Sequence, residues 1–332
     1  MLKIGNNQIA NWLIKILICI LLVWVLYQQI FAKEDIGRIW GVFLENLKTQ
    51  PIAWLVAGVF LMPINWVFEN MKWRALIRSV EEMSFLQSLA AIFAGVTFSI
   101  FTPNRIGEYG GRILFVKPEN NWKAVVATLV GSYSQLLAIL SFGILGFGVF
   151  MSLYFELDPI VLKSVLFLSI ALAGMMLFCF YNISLVIPLA KKIPYAYKFK
   201  KIVKDVNVLR SYDRKVLSEA LCYAILRYLV YSIQYYMMLR YFGIDVGVVE
   251  GLSGIATIFL FQTSIPLPPL MGLMARGELA IYIWGNFSAH EINILAATFF
   301  LWIINLIIPS LIGALFISNV NIMKSLGYSK KE

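Results

Sequence analysis

Apolar residues along this chain gather into eight long runs separated by short polar intervals. Six runs are long enough to cross a bilayer, which takes about 20 apolar residues in a helix. They cover about residues 12–31, 51–68, 125–154, 160–189, 217–239 and 294–316. The other two, Phe85 to Phe101 and Val248 to Ile265, are shorter and run into prolines and glycines. Each has a brief apolar return, at 113–116 and 279–284. The weak alternating segments of a membrane β-barrel are absent. The pattern predicts an all-α polytopic membrane protein.

The polar intervals differ in kind. A mixed-charge loop holds Lys33, Glu34, Asp35, Arg38, Glu45 and Lys48. Residues 69–78 read as an amphipathic stretch with Trp73 and basic residues, suited to the headgroup layer. Residues 117–123 read as an aqueous loop. Residues 191–215 hold nine Lys/Arg against two Asp. There Tyr197, Ile202, Val206 and Leu209 recur at roughly helical spacing, which predicts a helix lying on the surface near anionic lipid headgroups.

Composition fixes the class. The 332 residues are 60% hydrophobic and 14% charged, with a mean hydropathy of +0.79. A soluble chain of this length does not bury that much apolar surface, so residues 1–332 form a single integral membrane domain. The first run lacks a small-residue cleavage site and reads as a retained helix. The net charge of +10 comes from basic residues flanking apolar runs. That points to membrane topology and anionic lipid rather than nucleic acid. Cys19, Cys179 and Cys222 all lie in apolar runs and suggest neither a disulfide framework nor a metal site. His290, the one histidine, sits in a short polar loop and reads as solvated. No cofactor motif is present.

Charge placement selects a topology. If all eight runs cross, the basic 191–215 interval lies opposite to what the positive-inside rule requires. If the two short runs instead dip in and return, 19 of the 28 Lys/Arg fall on the cytoplasmic side with both termini, and five fall outside. This predicts six full transmembrane helices plus two broken re-entrant helical hairpins in an inverted repeat; the alternative is eight full transmembrane helices. The first half is about 10–155 with its hairpin at 85–116. The second is about 160–318 with its hairpin at 248–284, and the basic cytoplasmic loop is 190–215. Transporters with such repeats place discontinuous helices around a midplane site.

Both breaks carry charge. The first has Thr102, Pro103, Arg105, Gly107, Glu108 and Arg112; the second has Pro266, Pro268, Gly272, Arg276 and Glu278. A charge at membrane depth costs roughly 2.5–3.5 kcal/mol on insertion scales, so several together point to function. The arginine fork matches phosphate oxygens. Backbone N–H groups freed around Gly107, Gly110 and Gly111 can also face an anion. Glu108 and Glu278 either orient the arginines or carry a proton; equally, the Arg/Glu pairs pin the two hairpins together. Arg227, within a span, is either a headgroup contact or a partner of Glu219 or a backbone carbonyl. No nucleophile or metal-ligand cluster accompanies these residues, so the reading is not that of an enzyme.

The pattern Thr102-Pro103-x-Arg105-x-Gly107-Glu108, with the later Pro266, Pro268, Gly272 and Glu278, resembles the flippase-like membrane region of lysylphosphatidylglycerol synthases. That family includes stand-alone membrane proteins of about this length. The resemblance covers about residues 10–320. The family usually has a Gly-Gly pair after the prolines, where this chain has Pro269 and Leu270. The resemblance implies a cell-membrane protein that moves a phospholipid or a polyprenyl-phosphate-type lipid between leaflets. It implies a stand-alone member without the aminoacyl-transferring domain. Two alternatives stay open: an intramembrane enzyme acting on a lipid phosphate, and a non-transporting partner of a lipid-modifying enzyme.

Overall fold

A computed structural model of the chain describes residues 2–30, 36–154, 158–185, 187–188, 205–264 and 269–328. Helices make up nearly all of this, and no strand occurs among the described residues. In chain order they are α1 (Leu2–Ile30), α2 (Ile36–Thr49), α3 (Ile52–Ile77), α4 (Phe85–Ser99), α5 (Gly107–Ile113), α6 (Asn121–Tyr154) and α7 (Pro159–Tyr181). Then follow α8 (Arg214–Tyr241), α9 (Val248–Ser264) and α10 (Pro269–Trp284). The last long helix, α11 (Glu291–Ser318), contains one π-helical turn at Ile303–Ile307.

Among the described residues, six helices are long and apolar enough to cross a membrane: α1, α3, α6, α7, α8 and α11. They are the six runs the hydrophobic pattern selects, and α4 and α9 are the two shorter apolar helices. The protein is an all-α polytopic membrane protein. On α7, Phe167, Leu168, Ile170 and Phe178 are exposed, as are Trp12, Leu13 and Ile16 on α1. In a soluble protein such surfaces would aggregate; here they are a belt for lipid chains.

Both short helices double back. A 3-10 turn at Pro103–Arg105 follows α4, and α5 then returns along it. The direction is read from neighbours: Gly107 lies on the Phe98 carbonyl, and Gly111 lies on Ala94. Likewise α10 returns along α9, with Trp284 against Gly254. The second return spans Pro269–Trp284, longer than the 279–284 that the pattern picks out, because its first turns are interrupted by charge and glycine.

Two polar intervals prove to be structured. Residues 36–49, expected as a loop, form α2. Its Phe43 ring stacks on Phe300 of α11 at 4.4 Å. The stretch 69–78 is not a separate surface element. It continues α3 to Ile77, with Glu69, Lys72 and Trp73 buried. Its charges are satisfied inside the protein, so the helix has no reason to end at Phe68. Of the basic interval expected as a surface helix, residues 189–204 lie outside the described residues; Val206–Ser211 is a 3-10 turn.

Candidate functional site

The site begins with α3. Asn65, Glu69 and Lys72 are spaced by four and three residues and share one helix face, which is buried against α5, α6 and α8. Glu69 receives three cations. Lys72 Nζ is 2.6 Å from Oε2, Arg227 is 2.9 Å from the same oxygen, and Arg112 is 2.7 Å from Oε1. Arg112 also donates to Glu108, and Arg105 stands 3.4 Å from Glu108. Two carboxylates thus join residues from α3, the first break and α8 into one network. Arg112 lies over the Trp73 ring and Arg227 over Trp66, at 5.4 and 5.3 Å.

Amides extend the network. Arg227 Nε donates to Asn65 Oδ1 at 3.1 Å, and both Arg227 and Lys72 donate to Gln135 Oε1 at 3.4 Å. Asn65 donates to Asn305 at 3.1 Å, and Asn305 donates to Gln234 at 2.9 Å. Gln234 then donates to the Gly58 carbonyl at 2.8 Å. Asn305 lies in the π turn, a distortion found mostly at functional positions.

The break between α4 and α5 is held by Thr102. Its Oγ1 accepts from the Gly107 N–H at 2.8 Å and donates to the Phe98 carbonyl at 3.1 Å. The Gly107 N–H is therefore not free for an anion, and Gly111 is packed against α4, contrary to expectation. Asn104 and Arg105 both have positive φ, 50° and 59°. Asparagine tolerates this region; arginine rarely enters it. Strained backbone of this kind clusters at ligand sites, and here it presents a half-exposed Arg105 side chain.

A cavity of about 670 Å³ opens in front of the network. Thr102, Asn104 and Arg105 line it from the first break; Gln262 and Arg276 line it from the second; Arg227 lines it from α8. Tyr228, Tyr231, Phe259, Leu273 and Leu279 form apolar walls. No Asp or Glu is among the described residues that line it.

The candidate residues thus divide. Thr102, Arg105, Arg227 and Arg276 reach the cavity, while Glu108 and Arg112 stand behind it in the ion network. Pro103 and Gly107 shape the break. Glu278 is exposed and away from the cavity lining, and it makes no ion pair with Arg276. Pro266 and Pro268 lie outside the described residues; Gly272 lies within α10. Arg227 pairs with Glu69, whereas Glu219 pairs with Arg78 at 2.9 Å. Glu69, Lys72, Gln135 and Asn305 are missed by motif reading. Their signal is polar residues at helical spacing inside apolar runs. Among the described residues, no group of three or more His, Cys, Asp or Glu is arranged to hold a metal ion.

A family model for the lysylphosphatidylglycerol synthase TM region matches residues 12–313. The chain belongs to that family. The match takes in both breaks, the ion network and the cavity. Membership in the lysylphosphatidylglycerol synthase transmembrane-region family makes this a multi-pass membrane protein linked to lipid modification or flipping. No curated protein matches the chain.

Proposed function

We propose that this protein is a flippase-like transporter that moves a phospholipid or lipid-linked phosphate headgroup between leaflets of the cell membrane. The observation that carries the reading is the cavity, where arginines from both helix breaks and from α8 meet beside apolar walls. A guanidinium suits phosphate oxygens, and the apolar walls suit the first carbons of a lipid chain. Broken backbone at membrane depth is tolerated where it borders such a cavity. On this reading α4–α5 and α9–α10 are re-entrant hairpins, related as an inverted repeat, and both termini are cytoplasmic. The lipid leaves with its covalent structure unchanged.

Translocation of labelled lipid in proteoliposomes tests it. Wild type moves one class of phosphate lipid. Glu108→Gln, which releases Arg105 and Arg112 from their shared carboxylate, loses at least about 90% of the rate, a cost near 1.4 kcal/mol or more. Arg105→Ala does the same, and both variants elute as folded protein. Normal movement in both variants would overturn the proposal. A new lipid species in the extract would favour an enzyme instead.

A further inference from the structure

The charges around the cavity do not cancel. Lys72, Arg105, Arg112, Arg227 and Arg276 stand against Glu69 and Glu108, an excess of three positive charges among the described residues. Both carboxylates already face cations. Glu69 serves Lys72, Arg112 and Arg227, and Glu108 serves Arg112 and Arg105. Arg276 has no carboxylate partner among the described residues. Glu278 is two positions along α10, a spacing that does not share a helix face, and it is exposed. The adjoining residues 265–268 are Ile, Pro, Leu and Pro and bring no acid. Arg105 and Arg276 line the same cavity from the two breaks.

An uncompensated guanidinium within a membrane protein is costly, and Arg276, which lacks a carboxylate partner among the described residues, faces the cavity beside Arg105 and Arg227. We infer that the site selects a lipid headgroup with two or more negative charges, a phosphomonoester or a diphosphate. A phosphodiester with one negative charge leaves two cations unmatched. An aminoacylated headgroup adds a cation to a cavity that already has an excess. The apolar walls assign the phosphate to a lipid rather than to a free ion. The inference rests on the proposed function for the presence of a lipid, while the charge selection stands on the cavity.

Trp66 and Trp302 line the cavity, so tryptophan fluorescence reports binding without requiring transport. The full chain in zwitterionic nanodiscs is titrated with phosphatidic acid, a polyprenyl diphosphate, phosphatidylglycerol, an aminoacylated phosphatidylglycerol and inorganic pyrophosphate. The phosphomonoester and diphosphate lipids bind at least about tenfold tighter than the singly charged and aminoacylated lipids, the scale of one charge-assisted contact. Arg276→Gln and the isosteric Gln262→Glu each shrink that margin. Arg240→Gln removes the same charge from a pair with Asp245 and leaves the margin intact. Equal affinity across headgroups overturns the inference. So does pyrophosphate binding as tightly as the lipid diphosphate, which would assign the site to a free anion. Selective binding without translocation would remove the transport proposal and keep this one. Unselective translocation of singly charged lipid would do the reverse.

Discussion

Arg112→Ala is expected to cost about 3–5 kcal/mol of stability, the range for removing one partner of a buried ion pair. The guanidinium is 2% exposed and bridges Glu69 and Glu108. Without it, Glu108 keeps only Arg105, and Glu69 loses the cation on Oε1. Both carboxylates would then sit beside unsatisfied space, since water reaches neither Glu69 nor Lys72 freely. Arg112→Lys is expected to fail as well, because one ammonium does not reproduce a planar fork held between two carboxylates. The check is the unfolding midpoint in detergent and the monodisperse yield. Wild-type values for Arg112→Ala would show that the network contributes nothing to the fold.

The second large effect is steric. A Cβ on Gly111 would lie 2.4 Å from the Ala94 carbonyl oxygen and 2.5 Å from the Gly95 Cα. These are backbone atoms, which cannot swing aside. Gly111→Val is expected to separate α5 from α4 and cost about 3 kcal/mol, the upper part of the overpacking range. Gly107→Ala meets the Phe98 carbonyl oxygen at 2.2 Å and displaces Thr102, which holds the break closed. Gly110 is the contrast: a Cβ there would meet nothing within 4 Å. Gly110→Ala is expected to be neutral or stabilising by up to about 1 kcal/mol, because it removes helix-destabilising backbone freedom. Thermal midpoints of the three variants check the order. A Gly111→Val protein as stable as Gly110→Ala would contradict the packing described.

Hydrophobic runs revealed the spans because a membrane-crossing helix must be apolar over its length, and nothing else in this chain has that pattern. The breaks were equally legible, since prolines, glycines and charges interrupt two short runs. Three features were not. Glu69 and Lys72 looked like the start of a headgroup stretch because hydropathy cannot distinguish a charge facing water from one facing an internal partner. Only the placement of Arg112 and Arg227 against them settles it. The helix at 36–49 was obscured by its interspersed charges, although Ile36, Ile39, Phe43 and Leu47 recur along it at helical spacing. The Arg276/Glu278 pair read from the sequence does not form, because residues two apart on a helix point away from each other. Thr102 was found by motif, yet its hydrogen bonds show it closing the break as well as bordering the cavity.

On the proposed function, a phosphate headgroup occupies the cavity between the two breaks. The most direct measurement is photo-crosslinking in membranes, using a phosphate lipid with a diazirine beside its headgroup, followed by peptide mapping. Labelling is expected at residues 99–106 and 259–279 and at Arg227 and its neighbours, competed by unlabelled lipid and reduced in Arg276→Gln. Labelling confined to the lipid-facing surfaces of α1 and α7, with none in the cavity, would contradict it.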